Sequence, residues 1–476
     1  MNKQLVYGVK QKPPFGKNLV YAFQQVLAIL AATVLVPVLV DGDGIYLSQS
    51  AALIGAGVGT LVYLLFTRFK SPVFLGSSFA FISPLFTGIV FGYCGIILGA
   101  IVAGLVYVIL ALIIKAVGAG WIDKLMPPVI IGPTVALIGL SLSGSAMNNV
   151  MNIAGGTANY NLLAIVVALV TFLTTVIVSV KGTKGMKLIP FVIGVAAGYV
   201  VACLLTLFGY TLGGNEYFNL VNFAEFAKIA DFKNWLPNIT VIGAIKELVN
   251  GNATLTGAGV ASIVLAFAPV ALVVFAEHIA DHKNISSIIG EDLLKDPGLD
   301  KTLLGDGVGS IAGAFFGGCP NTTYGESIGC VAITGNASVW TIFTTALMCI
   351  VLAFIYPIMV VIASIPSCVV GGISIALYGF IAVSGLRMFK NVDLDNSKNL
   401  FVIASILIPG IGGLVLNFGG TFEAPLIQIS SIACALLLGI LVNVILKPGK
   451  AEIKKEVKYA NETEETMFGV QEKKEK

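Results

Sequence analysis

Phe316-Gly317-Gly318-Cys319-Pro320-Asn321-Thr322-Thr323-Tyr324-Gly325-Glu326 sits among long apolar runs, and Ser71-Pro72-Val73-Phe74-Leu75-Gly76-Ser77-Ser78-Phe79-Ala80 is its counterpart earlier in the chain. Each reads as an extended, β-like piece leading into a short helix, the earlier one interrupted by Pro84 and Gly88. Broken spans at matching positions of two halves point to an intramembrane binding site, because half-helix N-termini bring free N–H groups and positive dipole ends to mid-bilayer. The plainer alternative is a pair of ordinary Gly/Pro kinks.

Composition places both stretches in a bilayer. The 476 residues are 57% hydrophobic and 11% charged, with a mean hydropathy of +0.94. Soluble domains carry about 25% charged residues and lack apolar segments in series. Apolar windows fall near 18–40, 47–67, 76–90, 93–117, 128–142, 161–180, 187–210, 258–281, 302–317, 321–334, 337–362, 367–386, 399–417 and 424–446. They predict an all-α polytopic membrane protein with about fourteen transmembrane segments, and the broken ones are the third and tenth.

Loop charge supports this reading. Lys3, Lys10, Lys12 and Lys17 precede the first window; Arg68 and Lys70, Lys115 and Lys124, and Lys181, Lys184 and Lys187 follow the second, fourth and sixth. The pattern resumes with Lys283 and Lys295, with Arg387, Lys390 and Lys398, and in the tail from Lys447. Basic loops alternate with loops such as 41–46 and 141–160 that lack Lys and Arg, so both termini are expected in the cytoplasm. Residues 213–257 form a long outer loop of mixed charge, with Lys228, Lys233 and Lys246 beside Glu216, Glu225, Asp231 and Glu247.

That loop divides the chain into halves of seven spans each. An odd number per half requires opposite orientations, the inverted-repeat arrangement of secondary transporters. The expected organisation is an N-terminus at 1–17, a transporter domain at 18–446 with repeats near 18–212 and 258–446, and a solvated tail at 447–476 that alternates Lys and Glu. The N-terminus shows no cleavage pattern. The seven cysteines are scattered without paired spacing and read as small buried hydrophobes. A net charge of +3 gives no nucleic-acid footprint.

Four carboxyl residues, Glu277, Asp281, Asp306 and Glu326, fall within or against membrane-grade sequence. A charge at the bilayer centre costs roughly 2.5–3.5 kcal/mol on insertion scales, so such residues usually face a cavity and mark a substrate or proton path. Asp281 lies one helical turn beyond Glu277 on the same face. Asp306 also reads as a helix N-cap for the ninth span. His278 and His282 have metal-compatible i, i+4 spacing, but Glu277 precedes the first His, and no third His completes a catalytic site, so no metal is expected.

The run Glu277-His278-Ile279-Ala280-Asp281, then Asp296-Pro297-Gly298-Leu299, then Pro320 to Gly329 with Thr334 resembles the nucleobase/ascorbate transporter family, in its bacterial uracil permease branch. Ala32-Thr33-Val34-Leu35-Val36-Pro37 and Gly76 to Pro84 extend the likeness, which fails only in the outer loop and tail. The resemblance implies a seven-plus-seven inverted repeat divided into core and gate domains, usually a homodimer, in a bacterial cytoplasmic membrane. It also implies a uracil/proton symporter rather than an enzyme, with no cofactor beyond the coupling proton.

Carried over by position, the family places substrate binding on Glu277 and Glu326, with Ser78 and the backbone of Phe79 and Gly325, and apolar contacts from Ala32, Phe79, Tyr324 and Tyr378. A tyrosine at such a position is also an ordinary packing or interface residue. Proton coupling falls to Glu277, with Asp281 and Asp306. The chemistry suits uracil, whose ring alternates N–H donors with carbonyl acceptors. Carboxylates accept from the N–H groups, and half-helix N–H groups donate to the carbonyls.

Four positions depart from the uracil branch: Asp281 where His is expected, Asp306 where Asn occurs, Gln25 where the family often has His, and Ser327 where Asn is usual. Asp281 and Asp306 resemble the purine side, which makes xanthine or another purine the alternative substrate. Sulfate and bicarbonate carriers share the architecture, but Glu326 at the mouth of the second half-helix would repel an anion. A passive channel is disfavoured, because nothing resembles a selectivity filter and paired broken helices suit alternating access.

Overall fold

The computed structural model describes residues 5–41, 44–118, 120–122, 126–152, 160–212, 216–251, 255–420 and 425–446. The tail read at 447–476 lies outside the described residues.

Seventeen helices are described, and each of the fourteen apolar windows contains at least one. In the first half these are α1 (Phe15–Val40), α2 (Gln49–Phe66), strand β1 (Leu75–Ser77) leading through a 3-10 turn into α3 (Ile82–Ile89), α4 (Gly92–Val117), α5 (Pro128–Ser141), α6 (Ser143–Met151), α7 (Leu162–Lys181) and α8 (Pro190–Thr211). The segment between the halves carries short 3-10 turns and α9 (Thr240–Val249). The second half has α10 (Gly257–Ile289), α11 (Leu299–Gly317), strand β2 (Asn321–Thr323) leading into α12 (Gly325–Thr334), α13 (Val339–Leu352), α14 (Tyr356–Ala363), α15 (Ser367–Arg387), α16 (Ser397–Ile411), a hairpin of β3 (Leu416–Gly420) and β4 (Pro425–Ile429), and α17 (Ser431–Ile445).

Eight helical segments among the described residues are long and apolar enough to cross a membrane, or nine if α13 and α14, bent by 82°, form one. The count of fourteen is therefore not established by helix length. Three windows differ in detail. The eighth continues to Ile289, where Gly290 closes the helix in a left-handed conformation. The last two contain helices of 15 residues on either side of the β3–β4 hairpin.

The extended pieces expected at the third and tenth spans do form, and they pair with each other. β1 and β2 run antiparallel, with Leu75 opposite Thr323, Gly76 opposite Thr322 and Ser77 opposite Asn321. Ser78 N–H donates to the Pro320 carbonyl (3.0 Å) and Tyr324 N–H to that of Phe74 (3.0 Å), which extends the ladder at both ends. Non-helical backbone survives at membrane depth only where protein satisfies it. Here α2 and α11 do so: Thr60 Oγ1 lies 2.9 Å from the Leu75 nitrogen and 3.1 Å from its carbonyl, Asn321 N–H donates to Ser310 Oγ (2.8 Å), and Asn321 Nδ2 donates to the Gly55 carbonyl (3.0 Å).

Those anchors reach because α2 and α11 lie very close together. Gly55 and Gly59 of α2 face Gly309, Gly313 and Gly317 of α11; a β-carbon at Gly309 would lie 2.6 Å from the Gly59 carbonyl, and one at Gly317 2.7 Å from that of Ala51. Small residues four apart are the membrane device for close helix packing, which without a hydrophobic drive depends on van der Waals contact. In contrast, α7 and α8 turn Leu173, Ile177, Leu204 and Leu207 outward, each about half exposed, as lipid-facing helices do.

Charge in residues 216–251 also finds a structural use. Glu247 of α9 accepts from the N–H groups of Tyr93 and Cys94, both at 3.1 Å, and so caps α4, whose N-cap residue Phe91 supplies no side-chain bond. Elsewhere Lys70 donates to both oxygens of Asp296, at 2.6 and 2.8 Å, and holds that carboxyl below its ordinary range. All seven cysteines are free, five of them buried.

Two outcomes follow for stability. Gly309→Ala and Gly313→Ala each overpack the α2–α11 contact and cost about 1–3 kcal/mol, whereas Gly379→Ala, with open space around its site, is neutral or slightly stabilising; melting temperatures in detergent check the contrast. Because the folded carboxyl of Asp296 is depressed, the pair's small contribution is present above the ordinary carboxylate value and lost as pH falls through the folded one. The melting-temperature advantage of wild type over Asp296→Asn is therefore expected at pH 7 and should fade below about pH 4.

Candidate functional site

A cavity of about 480 Å³ opens where the two half-helix N-termini face α10. Phe79 and Ala80 contribute from the start of the first half-helix, Tyr324, Gly325 and Glu326 from the start of the second, and Glu277, Ala280, Asp281 and Asn284 from one stripe of α10. The opposite wall comes from Val135 and Ile138 of α5, Ser179 of α7, Phe191 of α8, and Leu377, Phe380 and Ile381 of α15. The first N–H groups of a helix have no partner within it. Two such ends, three carboxyl groups and flat apolar walls therefore share one enclosure.

Local sequence explains the geometry. The pairing of β1 and β2 aims both half-helices at the same point. Gly76 has no room for a side chain, because the Tyr324 ring lies against it, and the Tyr324 hydroxyl donates to the Ser77 carbonyl at 2.8 Å. Gly325 faces open space. Thr323 Oγ1 donates to Asp281 Oδ2 at 2.6 Å, tying the second strand to α10.

The back of α10 is polar as well. His278 Nδ1 lies 2.7 Å from Asp306 Oδ2, and its Nε2 lies 3.1 Å from Thr302 Oγ1, with His278, Asp306 and Thr302 all fully buried. His282 Nδ1–H donates to the His278 carbonyl (2.8 Å), and its Nε2 lies 2.7 Å from the Tyr63 hydroxyl, which in turn meets Ser71 Oγ at 2.7 Å. The two imidazoles stack with centroids 4.1 Å apart. Glu277 and Asp281 thus point one way, and the two histidines dock α10 against α2 and α11 on the other.

The cavity brings together Glu277, Asp281, Glu326, Phe79, Tyr324 and Gly325. Ala32, Ser78, Tyr378 and Asp306 are buried and do not line it. Ala28, one turn before Ala32, takes the α1 position, and Tyr378 stands behind Phe79 with ring centroids 5.8 Å apart. Asp306 is not an N-cap: α11 begins at Leu299 with Gly298 as its cap, which places Asp306 in the helix interior. His282 is likewise inside its helix, fully buried and followed by two further turns of α10. The departures at Gln25 and Ser327 touch each other, Gln25 Nε2 donating to the Ser327 carbonyl at 3.3 Å.

Sequence reasoning misses two cations in the cavity wall, Lys187 from the segment before α8 and Arg387 at the end of α15. In the sequence both serve only as topology markers. Continuing the Leu377, Phe380/Ile381, Ser384 stripe by one turn is the signal that reaches Arg387.

Comparison with known proteins agrees with this architecture. The transmembrane domain of the cyanobacterial bicarbonate transporter BicA superposes with a TM-score of 0.58 at 15% identity, covering 92% of this chain and 100% of that one. Murine Slc26a9, an anion transporter, gives 0.63 at 11% identity, covering 92% and 69%. These likenesses show a shared fold. In sequence, the chain is 36% identical to the uracil permease of Bacillus caldolyticus over 95% of its own length and 96% of the relative's. Against the uracil permease of Escherichia coli K12 the identity is 34%, covering 92% and 94%. Residues 16–419 match the model of the Permease family. The chain therefore belongs to that family, a multi-pass membrane permease rather than an enzyme, as its resemblance to the nucleobase transporters implied.

Proposed function

We propose that this protein imports uracil across a bacterial cytoplasmic membrane by proton symport. The observation that carries the proposal is the convergence of two half-helix N-termini and the carboxyl groups of Glu277, Asp281 and Glu326 on one cavity. The likeness to relatives named uracil permeases supports it. Ring N–H groups of uracil bond to Glu277 and Glu326, its carbonyls accept from N–H groups near Phe79 and Gly325, and Phe79 and Tyr324 flank the ring.

Protonated Glu277 both donates and accepts, matching an N–H/C=O edge of the base. Proton and substrate then favour each other's binding, as symport requires. A membrane potential supplies about 2.3 kcal/mol per charge per 100 mV. The site-bearing elements α1, α3, α10 and α12 form the core, and α5, α7, α8 and α15 belong to the gate; the cavity lies between them, so alternating access is a movement of core against gate in an elevator-like sense. In the same proposal the halves form a seven-plus-seven inverted repeat, both termini face the cytoplasm, and the protein works as a homodimer.

Asp281 in the cavity favours a second reading. A third carboxyl group suits a base with more N–H donors than uracil, such as xanthine. The shared fold of bicarbonate and anion carriers does not favour an anion here, since Glu326 occupies the first turn of α12.

Labelled uracil uptake into proteoliposomes, with and without an inward proton gradient and with unlabelled xanthine as competitor, tests the proposal. Gradient-driven accumulation untouched by xanthine is expected; strong xanthine competition would transfer the assignment to the purine reading. Glu277→Gln is expected to abolish gradient-driven accumulation, and full gradient dependence in that variant would remove Glu277 from coupling. Glu326→Gln loses one charge-assisted hydrogen bond, so uracil affinity is expected to fall roughly tenfold or more, about 1.4 kcal/mol per decade. Equilibrium binding that gave an unchanged affinity would sink that role.

A further inference from the structure

The cavity is polarised along its length. Glu277, Asp281 and Glu326 line it from α10 and the first turn of α12, whereas Lys187 and Arg387 line it from the segment just before α8 and from the last residue of α15, nine residues beyond Tyr378, whose ring packs on Phe79. Neither cation has a side-chain ion pair or hydrogen bond among the described residues. The α15 wall runs ten residues from Leu377 to Arg387, about 15 Å at 1.5 Å per residue, and the α10 wall seven residues from Glu277 to Asn284, about 10 Å. A single pyrimidine ring fills only the carboxyl end of such a space. Between Leu377 and Arg387 the α15 wall presents Phe380, whose ring packs against Phe191 with centroids 6.0 Å apart, so this stretch of the lining is apolar.

A free anion is repelled by the carboxyl end, and a neutral base leaves the cationic end untouched. A ligand that satisfies both ends carries an uncharged hydrogen-bonding ring at one extremity and an anion at the other. Resting on the nucleobase reading above, we infer that Lys187 and Arg387 form a site for the phosphate of a pyrimidine nucleoside 5′-monophosphate, whose base reaches towards the carboxyl groups from the same mouth. The nucleotide occupies the transport cavity without being carried, because its charged phosphate stays at the cations. By mass action it competes with the free base. A base that has been joined to ribose phosphate inside the cell thereby slows further entry of base.

The phosphate chemistry is shared by lipid headgroups, so the test separates the two sources. Full-length protein in phosphatidylcholine nanodiscs is titrated with labelled uridine 5′-monophosphate, and labelled uracil is displaced by uridine 5′-monophosphate, uridine or inorganic phosphate. The nucleotide is expected to bind at least about tenfold more tightly than uridine, the scale of one charge-assisted contact. Inorganic phosphate should leave uracil in place. Lys187→Gln combined with Arg387→Gln should remove the advantage over uridine, with retained uracil binding reporting that the variant is folded.

Equal affinity for nucleotide and uridine, or an advantage that survives the double substitution, overturns the inference. Loss of nucleotide binding when phosphatidylglycerol replaces phosphatidylcholine assigns the cations to a lipid headgroup and also overturns it. Direct nucleotide binding without any uracil binding would count against the proposed substrate and leave the phosphate site standing. Uracil binding without nucleotide binding does the reverse.

Discussion

The arrangement depends on satisfying a few peptide groups where no water is available. β1 and β2 place non-helical backbone in the middle of a membrane protein, and each unsatisfied amide there costs several kcal/mol. The strands solve this by pairing with each other, and the remaining polar atoms are met by Thr60, Ser310 and Asn321. That solution requires α2 and α11 to approach through glycine faces, since any larger residue would move the anchors away. The orientation of both half-helices, and with it the location of the cavity, follows from these bonds.

A second layer of polar contacts sets the rotation of α10. A helix with carboxyl groups on one face and imidazoles on the adjacent one has two ways to bury polarity, and both are used. His278 and His282 spend their ring nitrogens on Asp306, Thr302, Tyr63 and the α10 backbone, which leaves Glu277 and Asp281 to face the cavity. Asp306 lies behind α10, bonded to His278, rather than in the cavity wall. Buried polar networks of this kind stabilise little in total, but they select one arrangement, because a wrong rotation would leave several groups unpaired.

Much of this is legible in the sequence where a residue is costly to place. Carboxyl groups in apolar runs and Gly/Pro-rich breaks at matching positions by themselves point to α10, β1 and β2, because few environments tolerate them. Side-chain direction is less legible. Ala32 and Tyr378 share helices with cavity-lining residues but sit behind them, and a one-turn difference on α1 decides between Ala28 and Ala32. Asp306 resembles a cap because the true start of α11, at Leu299, follows the cap Gly298 in a segment too polar for an apolar window to include. Lys187 and Arg387 are hidden by their ordinariness, since basic residues at span ends already have a sufficient explanation in topology. The β3–β4 hairpin escapes because its strands merge with the apolar helices on either side.

The ladder between β1 and β2 also orders events in time. Leu75 and its partner Thr323 are separated by 248 residues (323 − 75). At about 5–20 residues per second, a ribosome needs roughly 12–50 s to deliver the second strand after the first. Throughout that interval the first strand has no cross-strand partner, so the insertion machinery must keep it hydrated or shielded until the second half of the chain arrives. A nascent first half is thus a poor independent folding unit, and a chain cut between the halves would regain its cavity only if both pieces were made together in the same membrane.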